Sequence, residues 1–180
     1  MIFDKLYKEL MLENSKPRSY SCLMLDCADF KSELKKIQDQ IDKDDLYTEE
    51  KGFGLETEPH ITALYGIHEQ DPSVVKGLLE LKPLKYELTK LSLFENDKYD
   101  VLKCSVKSPD LKKMNKQCCD NLEFSSDYPD YIPHLTVAYL KPGMGKKYTS
   151  LKSKGFNKEY TSGRYLFSNK DSKKTHWNIK

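Results

Sequence analysis

The chain has 180 residues, 38% hydrophobic and 32% charged, with seven Phe, twelve Tyr and one Trp. That balance fits one soluble globular domain over residues 1–180 and excludes both a multi-domain machine and a disordered segment. A net charge of only +2 argues against a long basic nucleic-acid track.

The longest apolar runs, such as Cys22–Leu25 and Leu135–Leu140, are too short to span a bilayer, so no membrane is expected. Charge is nonetheless uneven: residues 146–180 hold ten Lys/Arg against two Asp/Glu, and the preceding 145 hold twenty against twenty-six. A basic tail beside a near-neutral body suits a small polyanionic ligand entering a cleft, with solvated lysines as the plainer alternative. Met1–Lys16 mixes Asp4, Lys5, Lys8, Glu9 and Glu13 with its apolar residues and lacks the pattern of a signal peptide, so the expected location is the cytoplasm.

In chain order, Asp4–Glu13 has the apolar spacing of a short helix that Pro17 ends. Ser21–Asp26 is a compact apolar run that predicts a buried strand, and Phe30, Leu34, Ile37 and Ile41 then recur at helical intervals. Tyr47–Glu58 is polar with Gly52 and Gly54, which predicts a mobile loop leading into a strand at His60–Tyr65. Val74–Leu81 reads as a helix, and Tyr86–Phe94 and Tyr99–Val106 as a hairpin around Glu95–Lys98. Pro109 opens a helix running to about Asn121. A second polar loop, Ser125–Pro133, delivers the chain to a strand at His134–Tyr139, and Tyr160–Phe167 reads as one further strand. Cys22, Cys27, Cys104, Cys118 and Cys119 lack C-x-x-C spacing and read as reduced, mostly buried thiols, with adjacent Cys118 and Cys119 the pair to watch for redox chemistry.

The two loop-to-strand passages carry an internal echo. Pro59-His60-Ile61-Thr62-Ala63-Leu64-Tyr65 and Pro133-His134-Leu135-Thr136-Val137-Ala138-Tyr139 repeat Pro, His, Thr and Tyr at identical offsets, which points to two similar half-domains facing one another. Residues two apart on a strand share a face, so each His projects with its Thr while Ile61 or Leu135 points the other way. An imidazole can give or take a proton near neutrality, and a Thr hydroxyl can donate to an anionic oxygen. Two such pairs supply a base, an acid and two clamps, the inventory for metal-independent attack at phosphorus. A buried structural histidine is the alternative for either motif alone. Zinc is the alternative for the pair, but neither motif brings a third ligand at metal spacing. His68 and His176 lack a Thr partner and read as surface or local structural residues.

At these residues the chain resembles the two-histidine (2H) phosphoesterase superfamily, named for its duplicated H-x-[ST] motif. Arg18–Asp26, Glu58–Gly66 and Tyr128–Leu140 are similar to stretches of phage anti-CBASS nucleases, which degrade cyclic di- and trinucleotide alarms. The resemblance implies an α+β fold of two pseudo-symmetric lobes, antiparallel sheets lining a central cleft and helices packed outside. It implies a cyclic oligonucleotide substrate, no cofactor, and a 3′–5′ linkage cut by its own 2′-OH. In that family an aromatic residue that stacks a base stands where Tyr20 stands here; Phe94 and Trp177 are candidates for a second platform, with core packing the alternative for all three. An RNA-end 2′,3′-cyclic phosphodiesterase and a nucleotide-sequestering binding module are the competing functions. The pseudo-symmetry leaves acid and base interchangeable, and no heptad or interface stripe speaks to oligomeric state.

Overall fold

Eight strands form one curled antiparallel sheet in the computed structural model, which describes residues 20–50, 52–126 and 130–180. They are β1 (Ser21–Asp26), β2 (His60–Ile67), β3 (Leu84–Glu95), β4 (Asp100–Lys107), β5 (His134–Leu140), β6 (Glu159–Ser162), β7 (Arg164–Ser168) and β8 (Lys174–Asn178). Their spatial order is β6-β3-β4-β5-β2-β1-β7-β8. With helices α1 (Lys31–Gln38), α2 (Pro72–Leu78) and α3 (Pro109–Asn121), the fold is α+β. The two lobes are four strands each, and their sheets are continuous, joined where β2 meets β5. The helix expected over Asp4–Glu13 lies outside the described residues.

Helical spacing decides which faces are buried. Phe30, Leu34, Ile37 and Ile41 all sink into the core as their intervals predict, with a 3-10 turn at Ala28–Phe30 leading into α1. In α3, Pro109 occupies the first turn and the Ser108 hydroxyl accepts from the Leu111 N–H at 3.0 Å. Leu111, Met114 and Cys118 then pack on β2 and β3. Helix α2 starts two residues before the expected Val74, because Asp71 caps the Ser73 N–H, and it stops at Leu78 because Leu79 turns extended and is buried.

The strand expected over Tyr160–Phe167 is two strands, and β8 follows as a third that the sequence did not announce. Gly163 makes the break: the Ile179 N–H donates to its carbonyl at 2.8 Å, and a Cβ there would lie 2.1 Å from the Ile179 carbonyl oxygen. On one side of Gly163, β6 pairs with β3; on the other, β7 pairs with β1, at the opposite end of the strand order. One residue can connect those two places only if the sheet curls until they meet, and the Ser162 hydroxyl does donate to the Asp26 carbonyl at the end of β1, at 2.8 Å. The basic segment is therefore no tail; it is the hoop that draws the sheet round.

At the join, β2 and β5 share the pair Ile61↔Leu135 and then diverge. Strand edges left open there would hold unpaired backbone groups, and the chain fills both. The segment before His60 lies along β5, with bridges Leu46↔Leu140 and Leu55↔Ala138, Glu56 N–H to the Val137 carbonyl at 3.0 Å and Tyr139 N–H to the Gly54 carbonyl at 2.7 Å. The segment before His134 lies along β2, with a bridge Ile67↔Phe124 and Ser125 N–H to the Gly66 carbonyl at 2.9 Å. Gly66 is required: its φ is +85°, and a Cβ would stand 1.9 Å from the Ser125 carbonyl oxygen. Each motif is thus approached along the other lobe's strand. The loop expected to be mobile at Tyr47–Glu58 is hydrogen-bonded in place, and buried Gln38 on α1 donates to both the Glu56 (2.8 Å) and Val137 (2.9 Å) carbonyls.

Candidate active site

Residues opposite one another on paired strands share a face. His60 and Thr62 are opposite Asp26 and Met24 on β1, and His134 and Thr136 are opposite Ser105 and Lys103 on β4. All lie on the face away from Ile61 and Leu135, which are fully buried in the core. The two motifs meet at the pair Ile61↔Leu135, with His60 and Thr62 flanking Ile61 and His134 and Thr136 flanking Leu135. The four side chains form a quadrilateral around that pair, and His60 lies near enough to His134 to repel its charged form.

Both imidazoles are held by the same device. His60 Nδ1 lies 2.7 Å from the Glu58 carbonyl and His134 Nδ1 lies 3.0 Å from the Ile132 carbonyl, each two residues back. A carbonyl only accepts, so Nδ1 carries the hydrogen and Nε2 is left for a substrate. Neither Nε2 nor either Thr hydroxyl is engaged by another described residue.

The surroundings differ. Burial pushes His134 down to about 4, with Lys103 and His60 adding like-charge repulsion and the Ile132 carbonyl opposing them. Lys103 is 5% exposed and burial lowers its ammonium to about 8. Its Nζ donates to Ser92 Oγ at 2.9 Å and sits 4.0 Å from the Phe94 ring centroid, and that ring meets His134 edge-on at 5.1 Å. Ser92 Oγ is in turn 2.9 Å from Ser105 Oγ, beside His134. Around His60 the neighbours are acidic: Asp26, paired with Arg164 at 3.7 Å, and Glu58, whose carboxyl is held below the usual range by Lys174.

Of the three proposed stacking residues, the structure brings Phe94 to the site. Tyr20 precedes Ser21, which pairs with Ile67 at the end of β1 remote from His60, and its ring stacks on His68 at 5.3 Å. Trp177 is a correction. It is opposite Tyr165, which is opposite Leu25, which is opposite Ile61, so it faces the core, 8% exposed and stacked on Phe167 at 6.0 Å. His68 Nε2 bonds Ser125 Oγ at 2.8 Å, a local structural contact. His176 shares the face of Leu166 and Met24 and is exposed.

Lys103, Gln38, Tyr131 and Asn115 were not singled out by sequence reasoning. Tyr131 donates to the Thr62 carbonyl and Asn115 to the Ala63 carbonyl, each at 2.8 Å, where β2 has left β5. Lys103 did leave a trace, as the one charge in the run Val101-Leu102-Lys103-Cys104. The cysteines form no disulfide; burial raises Cys27, Cys104 and Cys118 to about 12, which leaves them unreactive. Among the described residues no three His, Cys, Asp or Glu side chains gather as a metal site, and no helix is long and apolar enough to cross a membrane.

A curled antiparallel sheet that presents two His-x-Thr pairs at its central strands defines the 2H phosphoesterase class. Within that class, the family described as anti-CBASS protein Acb1 matches residues 29–162, and the chain belongs to it. Solved structures share the fold: TT0787 of Thermus thermophilus is 11% identical with a TM-score of 0.59, over 89% of this chain and 95% of that one. Kluyveromyces marxianus Usb1, solved with uridine monophosphate, is 10% identical with a TM-score of 0.53 over 91% and 99%. Escherichia coli LigT, complexed with 3′-AMP, is 13% identical with a TM-score of 0.50 over 91% and 96%. No curated protein matches the sequence significantly. The chain is a hydrolase of the 2H phosphoesterase type, a phosphodiesterase acting on cyclic nucleotides.

Proposed function

We propose that the chain opens 3′–5′-linked cyclic di- or trinucleotide immune signals without a metal, so that a phage evades CBASS defence in the host cytoplasm. The observation that carries this reading is the matched pair of imidazoles, each tied through Nδ1 to a carbonyl and each leaving Nε2 unengaged on the face that carries Thr62 and Thr136. Neutral His134 takes the proton of a ribose 2′-OH as its oxygen bonds to the adjacent phosphorus. His60 gives a proton to the departing 5′-oxygen as the P–O5′ bond breaks, and the ring opens to a 2′,3′-cyclic phosphate. Water then reverses the roles: His60 accepts its proton, His134 returns one to the 2′-oxygen, and a linear 3′-phosphate leaves with both imidazoles reset. General acid–base action contributes about 10²–10⁴-fold, and a nucleophile carried by the substrate adds a large effective molarity. Thr62 and Thr136 hold the non-bridging oxygens, and Phe94 offers a ring edge to a base.

The test is incubation of the purified protein in EDTA with a panel of cyclic di- and trinucleotides beside a linear RNA ending in a 2′,3′-cyclic phosphate, with products resolved by mass. Ring opening of a cyclic compound supports the reading and names the preferred ring. Cleavage of the RNA end alone moves the protein to RNA processing, binding without cleavage makes it a sequestering module, and activity that chelation removes and a metal restores sinks the metal-free mechanism.

A further inference from the structure

We propose that Lys103 is the phosphate anchor of the site, an ammonium that grips a non-bridging oxygen on the Thr136 side and gives a pseudo-symmetric cleft one chemical polarity. The inference rests on the phosphodiesterase reading and deepens it. Its starting point is a mismatch between the halves: the residue opposite Thr136 is Lys103, and the residue in the equivalent place, opposite Thr62, is Met24.

A charge that is 5% exposed needs a counter-ion, and Lys103 forms no ion pair among the described residues. Ser92 takes one of its three N–H donors at 2.9 Å and the Phe94 ring faces the cation, so two donors lack an acceptor among the described residues. Folding alone gains little from burying an uncompensated ammonium where Met would pack, as it does on the other lobe. What resolves the deficit is an anion delivered to the quadrilateral, and a phosphodiester is one. Thr136 and Lys103 then converge on one non-bridging oxygen, Thr62 alone meets the other, and the reacting bonds are oriented with His134 at the attacking oxygen.

Lys103→Met keeps the stem and removes the charge; Lys103→Arg keeps the charge. Three measurements on both variants and the wild type decide the matter: binding of inorganic phosphate followed at the His134 ring by NMR, binding of a cyclic trinucleotide methylated on every 2′-oxygen by calorimetry, and the rate ratio for Rp and Sp phosphorothioate linkages. Lys103→Met should weaken both ligands and lower kcat/KM about 10–100-fold, the range of a charge-assisted hydrogen bond, and should shrink the Rp/Sp ratio. Lys103→Arg should recover most of the binding, with melting temperatures unchanged or raised for Lys103→Met. Wild-type phosphate affinity and stereopreference in Lys103→Met would overturn the proposal, as would a wild type that binds no phosphate beside His134. If phosphate binds but no cyclic nucleotide is cut, the functional reading falls while the phosphate titrations still score Lys103.

Discussion

His60 and His134 are held alike, each by Nδ1 on the carbonyl two residues back, yet they stand in opposite electrostatic company. Asp26 and Glu58 flank His60, whereas Lys103 and the Phe94 ring flank His134. The backbone repeats and the chemistry does not. In the proposed reaction, repetition supplies the geometry for moving two protons, and the difference makes His134 the imidazole that starts without one. A two-fold site with identical surroundings would bind its substrate equally in either sense, with nothing to distinguish the base from the acid.

The largest expected effect strikes both halves equally. His60→Ala and His134→Ala should each lower turnover by about 10²–10⁴-fold or more while the protein still folds and binds ligand, as judged by single-turnover kinetics beside calorimetry. A variant that keeps near-normal turnover would remove that histidine from the chemistry.

Next comes a pH signature belonging to one half. With a folded-state value of about 4 against an ordinary 6.5, His134 binds its proton more readily unfolded, so stability is present above pH 6.5 and lost as pH falls toward 4. Urea unfolding should show the wild type losing up to about 3 kcal/mol more than His134→Asn over that window. Parallel stability curves for the two proteins would contradict the depressed His134.

The threonines sharpen the comparison further. Thr62→Val should cost about 10–100-fold in kcat/KM, because the residue opposite it, Met24, has no donor to share the load. Thr136→Val should cost less, since Lys103 shares its load; equal losses would argue that the two halves grip the phosphate alike. The smallest effect is structural: Gln38→Leu takes the Gln38 donor from the Glu56 carbonyl, while the Val137 carbonyl keeps the Glu56 N–H, and should cost about 1–3 kcal/mol of stability, read as a lower urea midpoint.

Much of this molecule could be read before any coordinates. Ser21–Asp26 and Pro109–Asn121 form as the sequence predicts, because a compact apolar run and a capped, Pro-led amphipathic stretch are local signals. The His-x-Thr pairs were visible because their chemistry rides on a two-residue period. What escaped depends on partners distant in sequence. The sequence leaves Trp177 between a stacking platform and core packing because its orientation is set by register through three neighbouring strands, and no pattern within 174–178 reports it. The loop before His60 looked mobile because its polarity is local, while its hydrogen bonds go to β5 some eighty residues on. Lys103 becomes meaningful only once Thr136 is seen opposite it.

Gly163 and the strands around it set a timetable as well as a shape. Residues 159–178 supply β6, β7 and β8, so the strands that clasp β3 on one side and β1 on the other are synthesised after the rest of the described sheet. Both histidines are synthesised well before the clasp exists, and until it forms β1 and β3 are exposed edges able to pair with other chains. At translation speeds of about 5–20 residues per second, that interval lasts seconds, and a chain cut short of Glu159 would be left with both edges open and its active site unfastened.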